Sequence, residues 1–413
     1  MTEATEPITR LAQLRRMTGT WLFVVSFAAR IPVAMNVVGV LTLVTVVRGS
    51  VADGGLVSAA LGIASGIGGP AIGAVADRVG QRGALLAVAV LHPLVLAGLV
   101  ATVYADAPLV AVIAVAALAG ATIPPASPLM RARWLALLAA DSRAGGRGVP
   151  VALGYESMAD EISFVGGPVL VGVLATAFGP VAPIAASAAL ALVAVAVFAL
   201  HPTATLVHPG DHEGVRTVAP PRALLLAGVL LPTLGMAFMG AFFGGTLAAL
   251  TAFMEESGAG ESTGLFYGIM GATSAVAALL VGRLPASFPL GLRWAVGAAC
   301  LGLAGLALTL APVLGALVVV FVLAGVAVGA TLVTLFTIGA DAAPAGRLAT
   351  TMTMLSSGII IGQGTAVALV GSFAQLHGAG AAFIWVAVAG AGGLATALVF
   401  LLSHRVRRSS SAS

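Results

Sequence analysis

Twelve apolar runs divide this chain, and each is long enough to cross a lipid bilayer as an α-helix. A spanning helix needs ~20 predominantly apolar residues. The sequence predicts spans at 20–47, 54–76, 84–104, 108–129, 151–178, 180–200, 223–253, 263–282, 293–311, 313–338, 350–376 and 379–402. We therefore expect an all-α membrane protein with twelve transmembrane helices.

The composition agrees with this interpretation. Only 8% of the residues are charged and 60% are hydrophobic, whereas a soluble domain carries roughly 25% charged residues. The chain also contains 53 glycines, and small residues let helices approach each other closely in lipid. A helical bundle is thus favoured over a β-barrel, whose strands would alternate over ~10 residues between turns.

Several kinds of chemistry are not expected. The single cysteine, Cys300, excludes an intramolecular disulfide framework and cysteine-based metal clusters. The sequence has no GxxxxGKS or GxxxxGKT phosphate loop, so we expect no ATPase activity. We also expect no cofactor and no bound metal. The first apolar run is too long for the core of a signal peptide, so we expect it to be a retained span.

The arginines predict the orientation, because all 19 basic residues are arginine. If twelve helices alternate, every arginine between or beyond the spans falls on one side except Arg48. By the positive-inside rule, that side is cytoplasmic. We therefore expect a multi-pass protein of the plasma membrane with both termini in the cytoplasm. The net charge of +4 follows from this bias, and no nucleic-acid partner is expected.

The longest hydrophilic stretch follows the sixth apolar run and is rich in proline. It divides the chain into an N-terminal six-helix half, a cytoplasmic linker and a C-terminal six-helix half with a short basic tail. The predicted bounds are 1–200, 201–222 and 223–413. Two halves of six helices, each built of three plus three, are a known transporter architecture.

Four ionisable residues interrupt the apolar runs: Arg30 in the first, and Glu156, Asp160 and Glu161 in the fifth. A charge at the bilayer centre costs ~2.5–3.5 kcal/mol on the insertion scale, so such groups are usually paired and functional. Counted from the cytoplasmic ends, Arg30 and Asp160 lie ~15 and ~14 Å deep, near the middle of a ~30 Å core. The sequence predicts a pair of Arg30 with Asp160 or Glu156.

One arginine cannot neutralise three carboxylates. Desolvation and neighbouring like charges favour the protonated acid, so at least one of Glu156, Asp160 and Glu161 is a candidate for proton exchange near neutral pH. The sequence leaves open which one titrates. It also leaves open a permanent ion pair with the other acids protonated, or direct binding of a charged substrate.

Other polar residues within the spans are candidates for lining a cavity. They are Asn36, His92 and Gln363. His92 titrates near pH ~6.5 when unperturbed. A lone histidine beside a proline, here Pro93, is more often a hydrogen-bonded packing residue, and that interpretation is preferred.

The loop between the second and third runs resembles the signature loop of the major facilitator superfamily, Gly-x-x-x-Asp-Arg-x-Gly-Arg-Arg/Lys. The matching residues are Gly73, Asp77, Arg78, Gly80 and Arg82, whereas Gln81 replaces a basic residue. Asp77 ends a helix, where the dipole disfavours a negative charge, so a partner is expected: Arg78, Arg82 or the start of another helix. The resemblance implies that Asp77 meets span 11 and acts in gating.

The fifth run resembles, in part, the fifth-span motif of proton-coupled antiporters in the same superfamily. The residues that carry the resemblance are Gly154, Ser163, Gly167, Pro168 and Gly172. Ser163 and Val171 stand where that motif has glycine. Pro168 removes a backbone donor and predicts a bend. The resemblance implies export, while a kink without directional meaning is the alternative.

Together these features predict a secondary active transporter and not an enzyme. We expect proton-coupled export of a small amphipathic or drug-like compound by alternating access. The alternative is an importer or facilitator of a sugar, amino acid or organic acid. A remote alternative is an intramembrane lipid-processing enzyme, for which the three acids are the only candidate catalytic cluster. The expected partners are a small-molecule substrate, protons and the lipid bilayer.

Overall fold

The computed structural model describes residues 6–140, 148–206, 218–259, 263–285, 287–310 and 314–410. Within these ranges, twelve helices are long and apolar enough to cross a membrane. In chain order they are spans 1 to 12: Thr20–Arg48, Ala52–Val79, Gln81–Tyr104, Leu109–Ala139, Gly148–Phe178, Ala182–Leu200, Ala227–Glu256, Thr263–Arg283, Leu290–Leu310, Leu317–Asp341, Leu348–His377 and Ala379–Ser403. The predicted all-α class and the number of spans are confirmed.

Span 4 differs most from its predicted bounds. It consists of two helices, Leu109–Ala121 and Ala126–Ala140, and the second continues well past the predicted end at residue 129. Prolines usually break helices, but Pro128 lies in the first turn of the second helix, where backbone N–H groups have no intrahelical partner. Arg131 and Arg133, which the predicted bounds place between spans 4 and 5, are therefore on a helix, and both are buried.

Several shorter elements accompany the spans. They are the helix Glu6–Thr18 before span 1, a π-helical turn Ala191–Val195 inside span 6, and 3-10 turns at Pro202–Thr205, Pro221–Leu225 and Val281–Arg283. Span 12 consists of the helix Ala379–Ala382 and the first part of the helix Ile384–Ser410, which continues beyond Ser403. Of the predicted linker 201–222, residues 207–217 lie outside the described part of the chain.

The chain forms two compact units. Unit 1 comprises Met1–Gly148, Ile162–Ala219 and Ala345–Ser357, and unit 2 comprises Val149–Glu161, Pro220–Pro344 and Gly358–Ser413. The beginning of span 5 thus belongs to unit 2, and the beginning of span 11 belongs to unit 1. The beginning of span 11 contacts span 2 at Asp77, and the beginning of span 5 carries Glu156, Asp160 and Glu161.

Each unit has its own apolar core. In unit 1, spans 1, 2, 3, 4 and 6 bury aliphatic residues that include Val40, Leu43, Leu61, Leu96, Leu99, Val112 and Ile184. In unit 2, the largest buried side chains are aromatic: Phe242, Trp294, Phe321, Phe336 and Phe383. Because lipid supplies no hydrophobic driving force between helices, the fit of these side chains contributes to association through packing.

Candidate functional site

Arg30 lies in the interior of unit 1. Its side chain is only 3% exposed, and its Nε donates a hydrogen bond to the carbonyl of Ser26, one turn earlier, at 3.1 Å. A guanidinium at this depth of an apolar span costs free energy unless other groups solvate it. Its predicted pairing with Asp160 or Glu156 stays a prediction.

The three acids of span 5 lie at the end of the stretch that belongs to unit 2. Glu156 is completely buried, and Asp160, one turn later and therefore on the same helix face, is partly exposed. Glu161 lies about 100° further round the helix. The three carboxyl groups therefore do not share one environment.

Glu161 contacts span 8. Its Oε1 accepts a hydrogen bond of 2.6 Å from the hydroxyl of Ser274, which is only 1% exposed. Ser274 is not among the site residues predicted from the sequence. Serine is common in membrane helices, where its hydroxyl usually bonds to its own backbone, so no sequence signal distinguished this residue from its neighbours.

Close helix packing explains Gly154 and Gly167 of span 5. A Cβ at Gly154 would collide with the carbonyl oxygen of Ala278 in span 8, and a Cβ at Gly167 would lie 2.6 Å from that of Ala34 in span 1. Gly172, by contrast, faces open space. Gly154 and Gly167 are thus required by close approach, and Gly172 is not.

Two other residues of the predicted fifth-helix motif lie on the same continuous helix. Span 5 runs without a break from Gly148 to Phe178, with Pro168 inside it. Ser163 is buried, with 5% exposure. The bend predicted at Pro168 stays a prediction.

Asp77 of span 2 caps the beginning of span 11. Its carboxylate accepts hydrogen bonds from the backbone N–H of Ala349 at 2.9 Å and of Thr350 at 2.8 Å. The Thr350 hydroxyl donates a third bond to it. These N–H groups lie in the first turn, at the positive end of the helix dipole. Of the three partners considered for Asp77, the structure shows the helix start.

The other residues of the predicted gating loop lie from the last turns of span 2 to the first turn of span 3. A Cβ at Gly73 would collide with the Thr353 hydroxyl, so glycine allows span 2 to approach span 11. Gly80 ends span 2 with φ 88°, a conformation that favours glycine. Arg78 is exposed. Arg82 donates a hydrogen bond to the carbonyl of Leu200 at 3.0 Å.

Gln81 has a specific partner in Arg133. The Arg133 Nε donates to the Gln81 Oε1 at 2.8 Å, and its Nη1 donates to the carbonyl of Phe198 at 2.8 Å. The guanidinium also lies 3.7 Å from the centre of the Phe198 ring. Both Gln81 and Arg133 are completely buried. The neutral amide of Gln81 therefore occupies the position at which the basic residue of the family motif would place a second positive charge beside Arg133.

His201 follows span 6 beside this cluster. Burial, together with the positive charge of Arg133, lowers the pKa of His201 below its usual value. Its Nδ1 accepts a hydrogen bond from the backbone N–H of Thr203 at 3.3 Å, which requires an unprotonated Nδ1. His201 is thus kept neutral near neutral pH.

Asn36 and His92 belong to a buried polar network in unit 1. The Asn36 Nδ2 and the His92 Nε2 are 2.9 Å apart, and the His92 Nδ1 lies 3.1 Å from the carbonyl of Ala119. Because a carbonyl only accepts, Nδ1 carries the proton and Nε2 accepts from Asn36. The Ser187 hydroxyl completes the network by donating to the Asn36 Oδ1 at 2.7 Å.

This network connects spans 1, 3, 4 and 6, and Asn36, His92 and Ser187 have no exposed surface. Since each ring nitrogen of His92 has a partner, the geometry supports the packing interpretation for this residue. Gln363 of span 11, in contrast, is partly exposed. Among the described residues, no group of His, Cys, Asp and Glu is arranged to hold a metal ion.

Comparisons with known proteins agree with this architecture. The family model of the Major Facilitator Superfamily matches residues 17–354, so the chain belongs to the Major Facilitator Superfamily. A comparison with curated protein sequences finds no significant match.

Solved structures share the fold at low sequence identity. The human organic anion transporter MFSD10 (TETRAN) is 18% identical, with a TM-score of 0.62 over 91% of this chain and 96% of that one. A bacterial homologue of the iron transporter ferroportin, in an outward-facing state with soaked iron, is 16% identical, with a TM-score of 0.66 over 92% and 98%. The E. coli fucose:proton symporter FucP is 14% identical, with a TM-score of 0.59 over 92% and 98%. Membership of the Major Facilitator Superfamily, together with the twelve spans, makes the chain a multi-pass membrane transporter and not an enzyme.

Proposed function

We propose that this transporter exports a small amphipathic or drug-like compound in exchange for protons. The observation that carries the proposal is the acid cluster in span 5, where Glu156 is completely buried and Glu161 is bonded to the neutral hydroxyl of Ser274. Ionised carboxylates in a span cost free energy. Binding and releasing a proton there is the step that a proton gradient can drive.

The proposed mechanism is alternating access between the halves 1–200 and 223–413, joined by the linker 201–222. Among the described residues, hydrogen bonds connect these sequence halves at two places: Asp77 accepts three at the beginning of span 11, and Glu161 accepts one from span 8. If the halves rock apart at these points, the bonds at both places have to break. The proton on Glu161 then influences one of the two contacts that control the motion.

We propose that the protein lies in the plasma membrane with both termini in the cytoplasm. The arginine distribution supports it, because all the arginines between spans except Arg48 share one side. On that side lie the Asp77 contact and the exposed Arg78. Export is supported by the fifth-span motif, of which Gly154 and Gly167 occupy tightly packed positions.

The second candidate is proton-coupled uptake or facilitated passage of a sugar, amino acid or organic acid. The fold shared with a fucose:proton symporter favours it. A buried guanidinium such as Arg30 is also suited to an anionic substrate, and one structural neighbour is an organic anion transporter. In that case Arg30 binds the substrate carboxylate instead of only balancing the acids of span 5.

Purified protein in lipid vesicles with an internal pH dye tests the proposal. A pH gradient is imposed and amphipathic compounds are screened for proton flux that depends on the compound, with Asp160→Asn and Glu161→Gln in parallel. Opposite movement of compound and protons, reduced in these variants, supports the antiporter. Movement in the same direction supports the symporter, and compound flux without proton flux supports a facilitator.

A further inference from the structure

The Glu161 carboxylate has an unusual partner for an acid within a membrane span. Its hydrogen bond comes from the Ser274 hydroxyl at 2.6 Å, and among the described residues no arginine lies within ion-pair distance of it. A hydroxyl supplies one hydrogen bond but no positive charge. Glu161 therefore depends on Ser274 for the solvation of its ionised form.

Among the described residues, the titratable groups that interact electrostatically with Glu161 are an acid and a phenol. Asp160, the preceding residue of span 5, acts on Glu161, and the Glu161 carboxylate in turn acts on Tyr267 of span 8. Tyr267 lies seven residues before Ser274 and thus on the same helix face. Its hydroxyl is 3.4 Å from the carbonyl of Phe243. The loss of the Ser274 bond would leave Glu161 beside an acid and a phenol.

Ser274 is held in place by span 10. A Cβ at Gly329 would collide with the Ser274 carbonyl oxygen, and a Cβ at Gly325 would collide with the Thr273 hydroxyl. These two glycines, four residues apart, let spans 8 and 10 touch through their backbones. This close contact opposes a shift of span 8 along its axis, and Ser274 is only 1% exposed.

We propose that Ser274 is the positioning residue that makes Glu161 the proton-exchanging acid of span 5. This inference rests on the proposed function and deepens it. When Glu161 is ionised, the Ser274 hydroxyl donates to the carboxylate and holds spans 5 and 8 together. When a proton from water binds the carboxyl oxygen, the bond is between neutral groups and roughly half as strong. Release of the proton to water restores it.

Infrared spectroscopy of the full-length protein in lipid nanodiscs tests this assignment without a transport substrate. Protonated carboxyl groups are followed through a pH titration, and the signal lost in Glu161→Gln identifies Glu161. In Ser274→Ala we expect the pH profile of that signal to move toward higher pH, by about tenfold in proton concentration. Ser274→Thr keeps the hydroxyl, so its profile should stay close to that of the wild type.

Ser372→Ala is the matched control, because Ser372 is exposed and its hydroxyl bonds only to the carbonyl of Ala368 in its own helix. It should leave the Glu161 profile unchanged. If Ser274→Ala does not fold, Ser274→Cys, a weaker donor of similar size, should move the profile in the same direction. Three results would overturn the proposal. The Glu161 profile could be unchanged in a folded Ser274→Ala variant, the Ser274→Thr profile could match that of Ser274→Ala, or Glu161 could show no titration.

The infrared test separates this inference from the proposed function. If the Glu161 profile depends on Ser274 but no compound drives proton flux in vesicles, the positioning role stands and the antiporter proposal fails. If compound-driven proton flux occurs while the profile is independent of Ser274, the antiporter proposal stands and the positioning role fails.

Discussion

The Asp77 Oδ2 lies 2.8 Å from the backbone nitrogen of Thr350, so an acidic side chain of span 2 caps span 11, which begins 271 positions later in the sequence. A carboxylate at the end of its own helix is disfavoured by that helix's dipole and favoured by the positive end of another. The contact thus resolves the electrostatic conflict at Asp77 and connects the two sequence halves.

Removal of the Asp77 carboxylate should loosen the beginning of span 11. Asp77→Ala removes three hydrogen bonds, and we expect a loss of about 1–2 kcal/mol for the capped state, or a roughly 5- to 30-fold shift in population. A cysteine introduced by Ser357→Cys in a Cys300→Ser background reports the loosening of span 11. Ser357 is only 5% exposed, so a thiol there reacts with a label only when the helix moves away. Its thiol labelling rate should rise by that factor. Arg78→Gln, a change at an exposed residue, should leave the rate unchanged.

Gln81→Arg should destabilise the protein although it restores the basic residue of the family motif. The new cation would face the buried Arg133 and leave its Nε without an acceptor, and an uncompensated buried charge costs about 3–5 kcal/mol. Thermal unfolding in detergent measures this loss. Gln81→Glu keeps the acceptor and adds a negative charge but loses the amide that donates to the Leu129 carbonyl at 3.2 Å, so it should unfold at a higher temperature than the arginine variant. Equal stability of the arginine variant and the wild type would refute the explanation.

His92→Gln should change stability and leave proton coupling intact. The substitution disturbs a fully buried network, and an unsatisfied partner such as Asn36 costs about 1–3 kcal/mol. We expect a lower unfolding temperature with an unchanged ratio of protons to substrate in vesicles. Ser187→Ala should behave alike, since it removes a donor from the same network. A changed ratio in His92→Gln alone would assign His92 a role in proton transfer.

Alanine at two glycines of span 5 should have opposite outcomes. Gly154→Ala places a methyl group against the carbonyl of Ala278, and such overpacking costs about 1–3 kcal/mol. We expect transport to fall by about tenfold or more. Gly172→Ala enters open space and should transport like the wild type. Initial rates in vesicles, normalised to the amount of reconstituted protein, compare the two variants.

The sequence was sufficient for the spans but not for the partners of the polar residues. Apolar runs longer than a bilayer's thickness leave little choice of structure, because unpaired backbone groups are excluded from lipid. The predicted end of span 4 was wrong. Pro128 lies in the first turn of a helix, where a proline does not interrupt the backbone hydrogen bonds. Arg131 and Arg133 were consequently placed between spans 4 and 5.

The site was only partly predictable for a related reason. The depth of an acid follows from its position in a helix, so Glu156, Asp160 and Glu161 were evident. Their partners depend on how helices rotate against each other, and neither Ser274 nor the pairing of Gln81 with Arg133 has a local sequence signal. The residues alone left three alternatives for the partner of Asp77; the family resemblance implied span 11, and the structure shows the contact with the beginning of that span.

The central claim, that Glu161 couples transport to protons, is tested most directly by comparing two activities of Glu161→Gln in the same vesicles. One is exchange of a labelled substrate from the screen at equal pH on both sides, and the other is accumulation driven by a pH gradient. Glutamine mimics the protonated acid but cannot release a proton. We predict that exchange persists within a few-fold of the wild type while gradient-driven accumulation is lost. Accumulation at the wild-type level, or equal loss of both activities, would contradict the account.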